Sequence, residues 1–572
     1  VIGRSGPHLR VPVGDDAHRW STFRGEKTLI VAARTVTSTA RVLECLPALL
    51  RGDSRVTVVF AYDPTSAFND GVLDLLHDAG CRIMPWSQLG SIAPDLILSA
   101  SENIDVPEGD CPVLVLPHGV GFQKLVPDSR APRSRLSGVV PDSLLESGRA
   151  WLAVSHPEQE QQLLATHPKT AGRTLLIGDP CFDELAVSLP QAAAYRRALG
   201  VADGRRLVVV SSTWGPTSLL GRYPQLPAEL LAALPYDEYR VAAVIHPNVW
   251  SAHGSWQIRT LQAAALEAGL LLIPPVHAWR SALVAASVVV GDHGSVTLMG
   301  AALGKPVVLA AFGSDAVPGT AVAHLGRAAP RLDPRGDLRQ QIEAAVQDHV
   351  PERYAAISDL AFAEPGLALT RLRATLYRLL KLAEPTSSTP PVLSLPHPDP
   401  PAATVTSWMV TTAVTAAAAG HSMVTVRRHP AAVSGHRQEA ADTLLHLACD
   451  EEERDHRLTE SASVVVRRRP ADTAVSALGW IQETLQRLPG SLVAAVPLNG
   501  NSFLLGTRDG LIVEATVTGP TIDPGLPAAL VYACLRAGLS LDGVFMTLRI
   551  GDVREEEVGL RLRPRLPSDS RQ

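Results

Sequence analysis

Short apolar runs recur from residue 28 onward, and helical spacing follows most of them. Residues 29–33 (Leu-Ile-Val-Ala-Ala) form the first run, and 38–50 carry apolar residues at helical spacing. Further runs lie at 56–61, 81–84, 96–99, 113–116, 150–155 and 174–177. They are continuous rather than alternating, so each strand is expected to be apolar on both faces. Such strands need cover on both sides, and a parallel sheet clothed by helices supplies it. A second series runs over 207–210, 241–245, 270–273, 287–290 and 306–310. Helices are expected at 279–286, up to 303, and over 336–350 and 366–382. The expected fold class is α/β, with two tandem Rossmann-like halves. The first covers 25–190 after an extension of 1–24, and the second covers 191–383.

Composition then shifts. Residues 384–403 hold prolines at 385, 390, 391, 396, 398, 400 and 401, which block helix and sheet and imply a semi-extended linker. Residues 404–572 read as an α+β domain of unassigned role. Its strands are expected at 463–467, 493–496, 503–506, 511–518 and 544–550, and its helices at 474–488 and 527–537. Asn499-Gly500-Asn501 and Arg508-Asp509-Gly510 are hairpin-turn signals. The acidic run 450–453 is expected on a solvated helix face, and the arginines at 467–469 at the surface end of a strand.

Charge and cysteine usage narrow the function. Lys plus Arg is 52 against 57 Asp plus Glu, a net charge of −5, which disfavours a nucleic-acid surface built on bulk positive charge. The hydrophobic fraction of 46% is ample for real cores. Cys45, Cys81, Cys111, Cys181, Cys449 and Cys534 form no Cys-x-x-Cys pair, which argues against a zinc ribbon, a thioredoxin-type site and a disulfide framework. A reducing, cytoplasmic compartment is the simplest expectation. No stretch of about 20 apolar residues appears, and the Ala-rich run 411–420 is too short to span a membrane. Peripheral membrane association stays open.

In open α/β sheets, ligands bind at the carboxyl ends of strands. Five places qualify. Pro117-His118-Gly119 follows the run 113–116, and His246-Pro247 occupies the matching place in the second half. A histidine there suits proton removal from an acceptor hydroxyl, or it caps a helix. Gly291-Asp292-His293-Gly294-Ser295-Val296-Thr297 opens a helix after a buried strand, either as a phosphate-binding helix start or as an ordinary cap. The loop Ser211-Ser212-Thr213-Trp214-Gly215-Pro216 floors a pocket or simply turns. Ile177-Gly178-Asp179-Pro180 lines a crevice or forms a hinge where the halves meet. No Gly-x-Gly-x-x-Gly opens a helix, and no Walker-type loop, Gly-x-Ser-x-Gly elbow or helical His-x-x-x-His pair occurs.

Two tandem halves carrying Pro117-His118-Gly119 and His246-Pro247 resemble the GT-B architecture of glycosyltransferases. Within it they resemble the CDP-glycerol glycerophosphotransferases of teichoic acid synthesis and, more distantly, the UDP-GlcNAc 2-epimerases. The resemblance spans roughly 25–382. Ile177-Gly178-Asp179-Pro180 with Asp183, Ala285-Ala286-Ser287 running into Asp292-His293-Gly294-Ser295-Val296, and Ala302-Leu303-Gly304-Lys305-Pro306 carry it further. So does a final helix with Pro365-Gly366 that packs back across the halves.

The resemblance implies a CDP- or UDP-linked donor, a hydroxyl acceptor, no other cofactor and no essential metal. It makes His118 the general base and His246 the group that steadies the leaving diphosphate. Gly294, Ser295, Thr297, Ser212 and Thr213 would hold donor phosphates, and Gly119, Gly178, Asp179, Asp292 and His293 would line the cleft. Apolar Leu298 and Met299 stand where both families place an acid on the ribose, and the epimerase acid/base carboxylates have no match. The expected activity is transfer of a glycosyl or glycerophosphoryl group in cell-envelope glycopolymer synthesis. The alternatives are a non-catalytic scaffold whose domain at 404–572 binds a protein partner, and a sugar-nucleotide epimerase.

Overall fold

In this computed structural model the described residues are 25–128, 134–201, 204–386, 389–399, 404–416, 422–434 and 443–563, with scattered positions before 25. The first half contributes β1 (Lys27–Ala33), β2 (Val56–Tyr62), β3 (Ile83–Pro85), β4 (Leu96–Ser99), β5 (Val113–Val115), β6 (Leu125–Pro127), β7 (Ser134–Leu136), β8 (Ala150–Val154) and β9 (Thr174–Leu176). Seven of these form a parallel sheet in the order β3-β2-β1-β4-β5-β8-β9, and β6 and β7 pair as a separate antiparallel hairpin. The second half contributes β10 (Arg206–Ser212), β11 (Tyr239–Ile245), β12 (Leu271–Ile273), β13 (Val288–Gly291) and β14 (Val307–Leu309), a parallel sheet in the order β12-β11-β10-β13-β14. Every residue of β11 is buried, as a strand covered on both faces requires. In each sheet the strand order reverses beside the first strand, which opens a crevice at the carboxyl ends there.

The helices follow from caps and apolar faces. α1 (Val36–Leu49) opens on a capping box: the Thr35 hydroxyl accepts from the Ser38 amide while Ser38 Oγ accepts from the Thr35 amide. α2 (Pro180–Val187) passes between the halves. α3 (Pro247–Leu261), α4 (Ala278–Ala285) and α5 (Ser295–Ala302) follow β11, β12 and β13. α6 (Ala368–Leu380) returns to the first half, where Leu369, Leu372, Leu376 and Leu380 join the core around Leu29 and Val31. Asp183 on α2 holds the start of α6 by accepting from the Gly366 and Ala368 amides at 2.6 and 3.0 Å.

The described part of the proline-rich segment, 389–399, is extended but not a free spacer. Leu395 is buried; its carbonyl accepts from Tyr195 Oη at 2.6 Å, and its amide donates to Ser188 Oγ at 2.9 Å. Leu395 is thus held by one side chain from each side of the join between the halves.

Nine further strands close into a barrel: β15 (Ser407–Ala416), β16 (Ser422–Pro430), β17 (Leu444–Asp450), β18 (Val464–Val466), β19 (Val493–Pro497), β20 (Ser502–Thr507), β21 (Ile512–Val517), β22 (Val544–Ile550) and β23 (Arg554–Arg563). α7 (Ala474–Arg487) packs outside, with Ile481 against Ala494, Val496 and Leu504. α8 (Gly525–Ala537) fills the interior. Its residues 525–534 are all buried, and its apolar side chains share one core with inward residues of all nine strands.

The α+β expectation stands, with more β than the sequence suggested. β15, β16, β17 and β23 were not expected, and much of the Ala-rich run 411–420 belongs to β15. The acidic run 450–453 is not on a helix. It ends β17 beside the arginines that end parallel β18, and Asp450–Arg468, Glu451–Arg467 and Glu452–Arg469 pair at 2.9, 3.2 and 3.2 Å.

The barrel docks on the amino-terminal end of the second sheet. Buried Arg428 on β16 donates to Asp237 at 2.9 and 2.6 Å and to Asp523 at 2.6 Å. The Tyr236 and Trp408 rings flank its guanidinium.

Candidate functional site

The carboxyl ends of both sheets face each other across a cavity of about 570 Å³, within the range of small-molecule sites. His118, Gly119, Ser212, Thr213, His246, His293, Gly294 and Ser295 all line it, so most of the residues expected at the site converge.

The two histidines present opposite hydrogen-bonding ends. His118 Nδ1 lies 3.2 Å from the Ala100 carbonyl, which only accepts, so Nδ1 donates and Nε2 keeps its lone pair. His246 caps α3, and its Nδ1 accepts from the Asn248 amide at 3.1 Å, so the neutral ring carries its proton on Nε2. Burial pushes the His246 imidazole down to about 3, and the charge of Lys124 adds to the shift. His246 is therefore a neutral N–H donor, not a cation.

Gly294 is the cap residue of α5, which leaves the Ser295 hydroxyl free for the cleft. It accepts from the Val120 amide of the first half at 3.1 Å. Gly119 makes this approach feasible, because a Cβ there would lie 2.6 Å from Ser295 Oγ. His293 Nδ1 accepts from the Gly313 amide and its Nε2 donates to Asp315 at 3.0 Å. Asp315 also pairs with Lys124 across the cleft at 3.2 Å, and these partners hold its carboxyl well below the usual range despite burial.

Four expected residues stand elsewhere. Thr297 is fully buried and faces Gly291, because the second residue beyond Ser295 on a helix points away from the wall that Ser295 shares. Asp292 is fully buried too: its Oδ2 accepts from the Thr213 and Leu219 amides and its Oδ1 from the Gly294 amide. It braces the loops that carry Thr213 and Ser295. Asp179 caps α2 and pairs with buried Arg41 at 2.7 Å, and Gly178, at φ +92°, lies under Ala368 of α6. These two sit where the first half hands over to the second, outside the cavity lining.

Other residues also reach the cavity. Glu102 follows β4 and pairs with Arg135 of β7 at 2.8 Å. Arg34 follows β1 and is anchored on Asp63 at 3.2 Å. Phe68 and Trp214 meet across the cleft with centroids 5.5 Å apart, and Lys124 lies 5.3 Å from the Trp214 ring centre. Glu44 on α1 accepts from His277 Nδ1 at 2.9 Å and pairs with Arg280 at 3.2 Å. Burial raises the Glu44 carboxyl, but the His277 hydrogen bond and the Arg280 and Arg41 charges outweigh it and bring it below its ordinary value. Leu298 is in the core, whereas Met299 lines the cavity.

Among the described residues no cluster of three or more His, Cys, Asp or Glu could hold a metal ion, and no helix is long and apolar enough to cross a membrane.

No protein-family model matches this chain, and no curated protein matches it. Among solved structures, a histidine variant of the wall teichoic acid polymerase TagF is similar at 12% identity over 63% of this chain and 90% of that one, with a TM-score of 0.44. UDP-GlcNAc 2-epimerase from Neisseria meningitidis bound to UDP-GlcNAc is similar at 14% identity over 61% and 100%, with a TM-score of 0.37. The S. aureus MnaA–UDP structure is similar at 14% identity over 63% and 99%, with a TM-score of 0.37.

Proposed function

We propose that the chain is a GT-B-type transferase moving a glycosyl or glycerophosphoryl group from a CDP- or UDP-linked donor to a hydroxyl acceptor in cell-envelope glycopolymer synthesis. The observation that carries this reading is the opposite tautomers of His118 and His246 on one cavity. The acceptor oxygen attacks the transferred group and its proton passes to His118 Nε2. The bond to the nucleotide phosphate breaks, and His246 Nε2–H with the amides at the start of α5 meets the charge that develops there. The Asp315–Lys124 pair and the Ser295–Val120 bond hold the two walls together.

His118→Ala is expected to lower turnover about 10²–10⁴-fold, and His246→Ala about 10²–10³-fold. Full activity in both variants sinks the mechanism. Thermal shift with CDP, UDP, GDP and dTDP compounds tests the donor, since ligand at 100 times Kd stabilises by about 2.7 kcal/mol.

A second reading, a scaffold that binds without turnover, has its own support. Arg34, Arg41, Lys124 and Arg135 are each paired with a carboxylate inside the chain, which reduces the free positive charge a diphosphate would meet. Nucleotide binding without turnover against any hydroxyl acceptor favours that reading.

A further inference from the structure

The cavity lining includes charged side chains of the first half and a run of apolar side chains from α5 and the loop before α4. Toward the first half lie Arg34, Glu102 and Arg135. The second half supplies Val296 and Met299 on α5, with Pro275, Val276 and Trp279 around the start of α4. A donor whose diphosphate meets the α5 amides has its nucleoside against this apolar stretch, since bases need flat apolar cover and acceptors need polar contacts. The pentose then sits between phosphate and base with its hydroxyls desolvated, and each needs a partner there.

His277 is the polar side chain that the loop before α4 presents at this place. Its backbone is strained: φ is +61° and ψ −51°, and the Ala278 amide donates to the Val276 carbonyl at 2.7 Å, closing a left-handed γ-turn. Non-glycine residues rarely adopt this conformation, and it persists where surroundings over-determine it. Here they do. The ring is held by Glu44 from the opposite wall at 2.9 Å, and Arg280 pairs with both Glu44 and Glu184. Nδ1 lies 2.9 Å from Glu44 and 3.4 Å from the Arg280 guanidinium; the shorter contact is to a carboxylate, which only accepts, so in the neutral ring Nδ1 donates to Glu44 and Nε2 keeps a lone pair.

We infer that His277, positioned by Glu44, accepts a hydrogen bond from a ribose hydroxyl of the donor and sets a preference for ribonucleotides over deoxyribonucleotides. This rests on the transferase reading. It gives the ribose a partner from the β12–α4 loop, where α5 beyond Ser295 presents only the apolar Val296 and Met299 to the cavity.

Calorimetric binding of CDP and UDP against their 2′-deoxy and 2′,3′-dideoxy forms tests it. The native protein is expected to favour one ribonucleotide over its dideoxy form by about five- to tenfold, the yield of one good hydrogen bond. His277→Ala is expected to bind both forms alike, at the native protein's dideoxy affinity, and Glu44→Gln to keep only part of the preference. Unchanged far-UV circular dichroism and melting establish that the variants are folded. A ribose preference that survives in His277→Ala overturns the inference, as does a native protein without one. Binding of neither form by the native protein removes the nucleotide reading itself, and this inference with it.

Discussion

His446 on β17 is buried in the barrel core with both ring nitrogens unpartnered, its ring 4.0 Å from that of Tyr532. Burial pushes its imidazole down to about 3. The unfolded chain takes up the proton near 6.5, so below that pH the unfolded state binds more protons than the folded one. Stability is then lost as pH falls from about 6.5 toward 3, by about 1.4 kcal/mol per unit for this group. At pH 5 the loss amounts to about 2 kcal/mol, and His246 adds a similar term. His446→Leu is expected to stabilise the barrel by about 1 kcal/mol at neutral pH, since it removes buried polar atoms without partners. It should also flatten the fall in stability between pH 6.5 and 5, as urea denaturation across that range would show. A histidine in a strand carries no sign of this in sequence, because its partners are defined only once the barrel closes.

At the scale of elements, the loops after β10 and β13 depend on one carboxylate. Asp292 accepts from three backbone amides in two loops. Asp292→Ala leaves those donors unpaired and is expected to cost about 3 kcal/mol or more in chemical denaturation. Asp292→Asn keeps only one accepting oxygen and is expected to fall between. On the proposed transferase reading, a loss of nucleotide binding larger than the loss of stability would locate the damage in Thr213 and Ser295. The sequence made these loops legible as carboxyl-terminal turns of buried strands, but not which side chains face inward. Thr297 illustrates why: its hydroxyl suggested a phosphate ligand, and the phase of α5 turns it onto Gly291. In the barrel, β15 reads Trp408, Val410 and Thr412 on its buried face with half-buried Met409 and Thr411 between. Its many alanines and threonines obscured the alternation, so the strand emerges only beside β16 and β17.

For the whole molecule, the barrel and the second half are joined through buried Arg428. Arg428→Met leaves Asp237 buried without its cation, and breaking such a pair costs about 3–5 kcal/mol. Adding Asp237→Asn is expected to recover part of that loss. Limited proteolysis offers a second readout: cleavage within 384–403 is expected to be faster in Arg428→Met than in the native chain. Equal rates would mean that the docked barrel does not depend on this contact.

Strand and helix positions in both halves were set by local hydrophobic periodicity, which a chain carries without reference to distant segments. That periodicity also fixed the parallel order of layers, because strands apolar on both faces have few other ways to be covered. His118 and His246 were legible for the same reason, each following a buried strand at the end where ligands bind. The pairing of Glu44 with His277, of Lys124 with Asp315, and of Gly178 with α6 joins residues far apart in sequence. Which of them face the cavity was decided by helix phase and by the docking of one half on the other, and only tertiary structure supplies those two quantities.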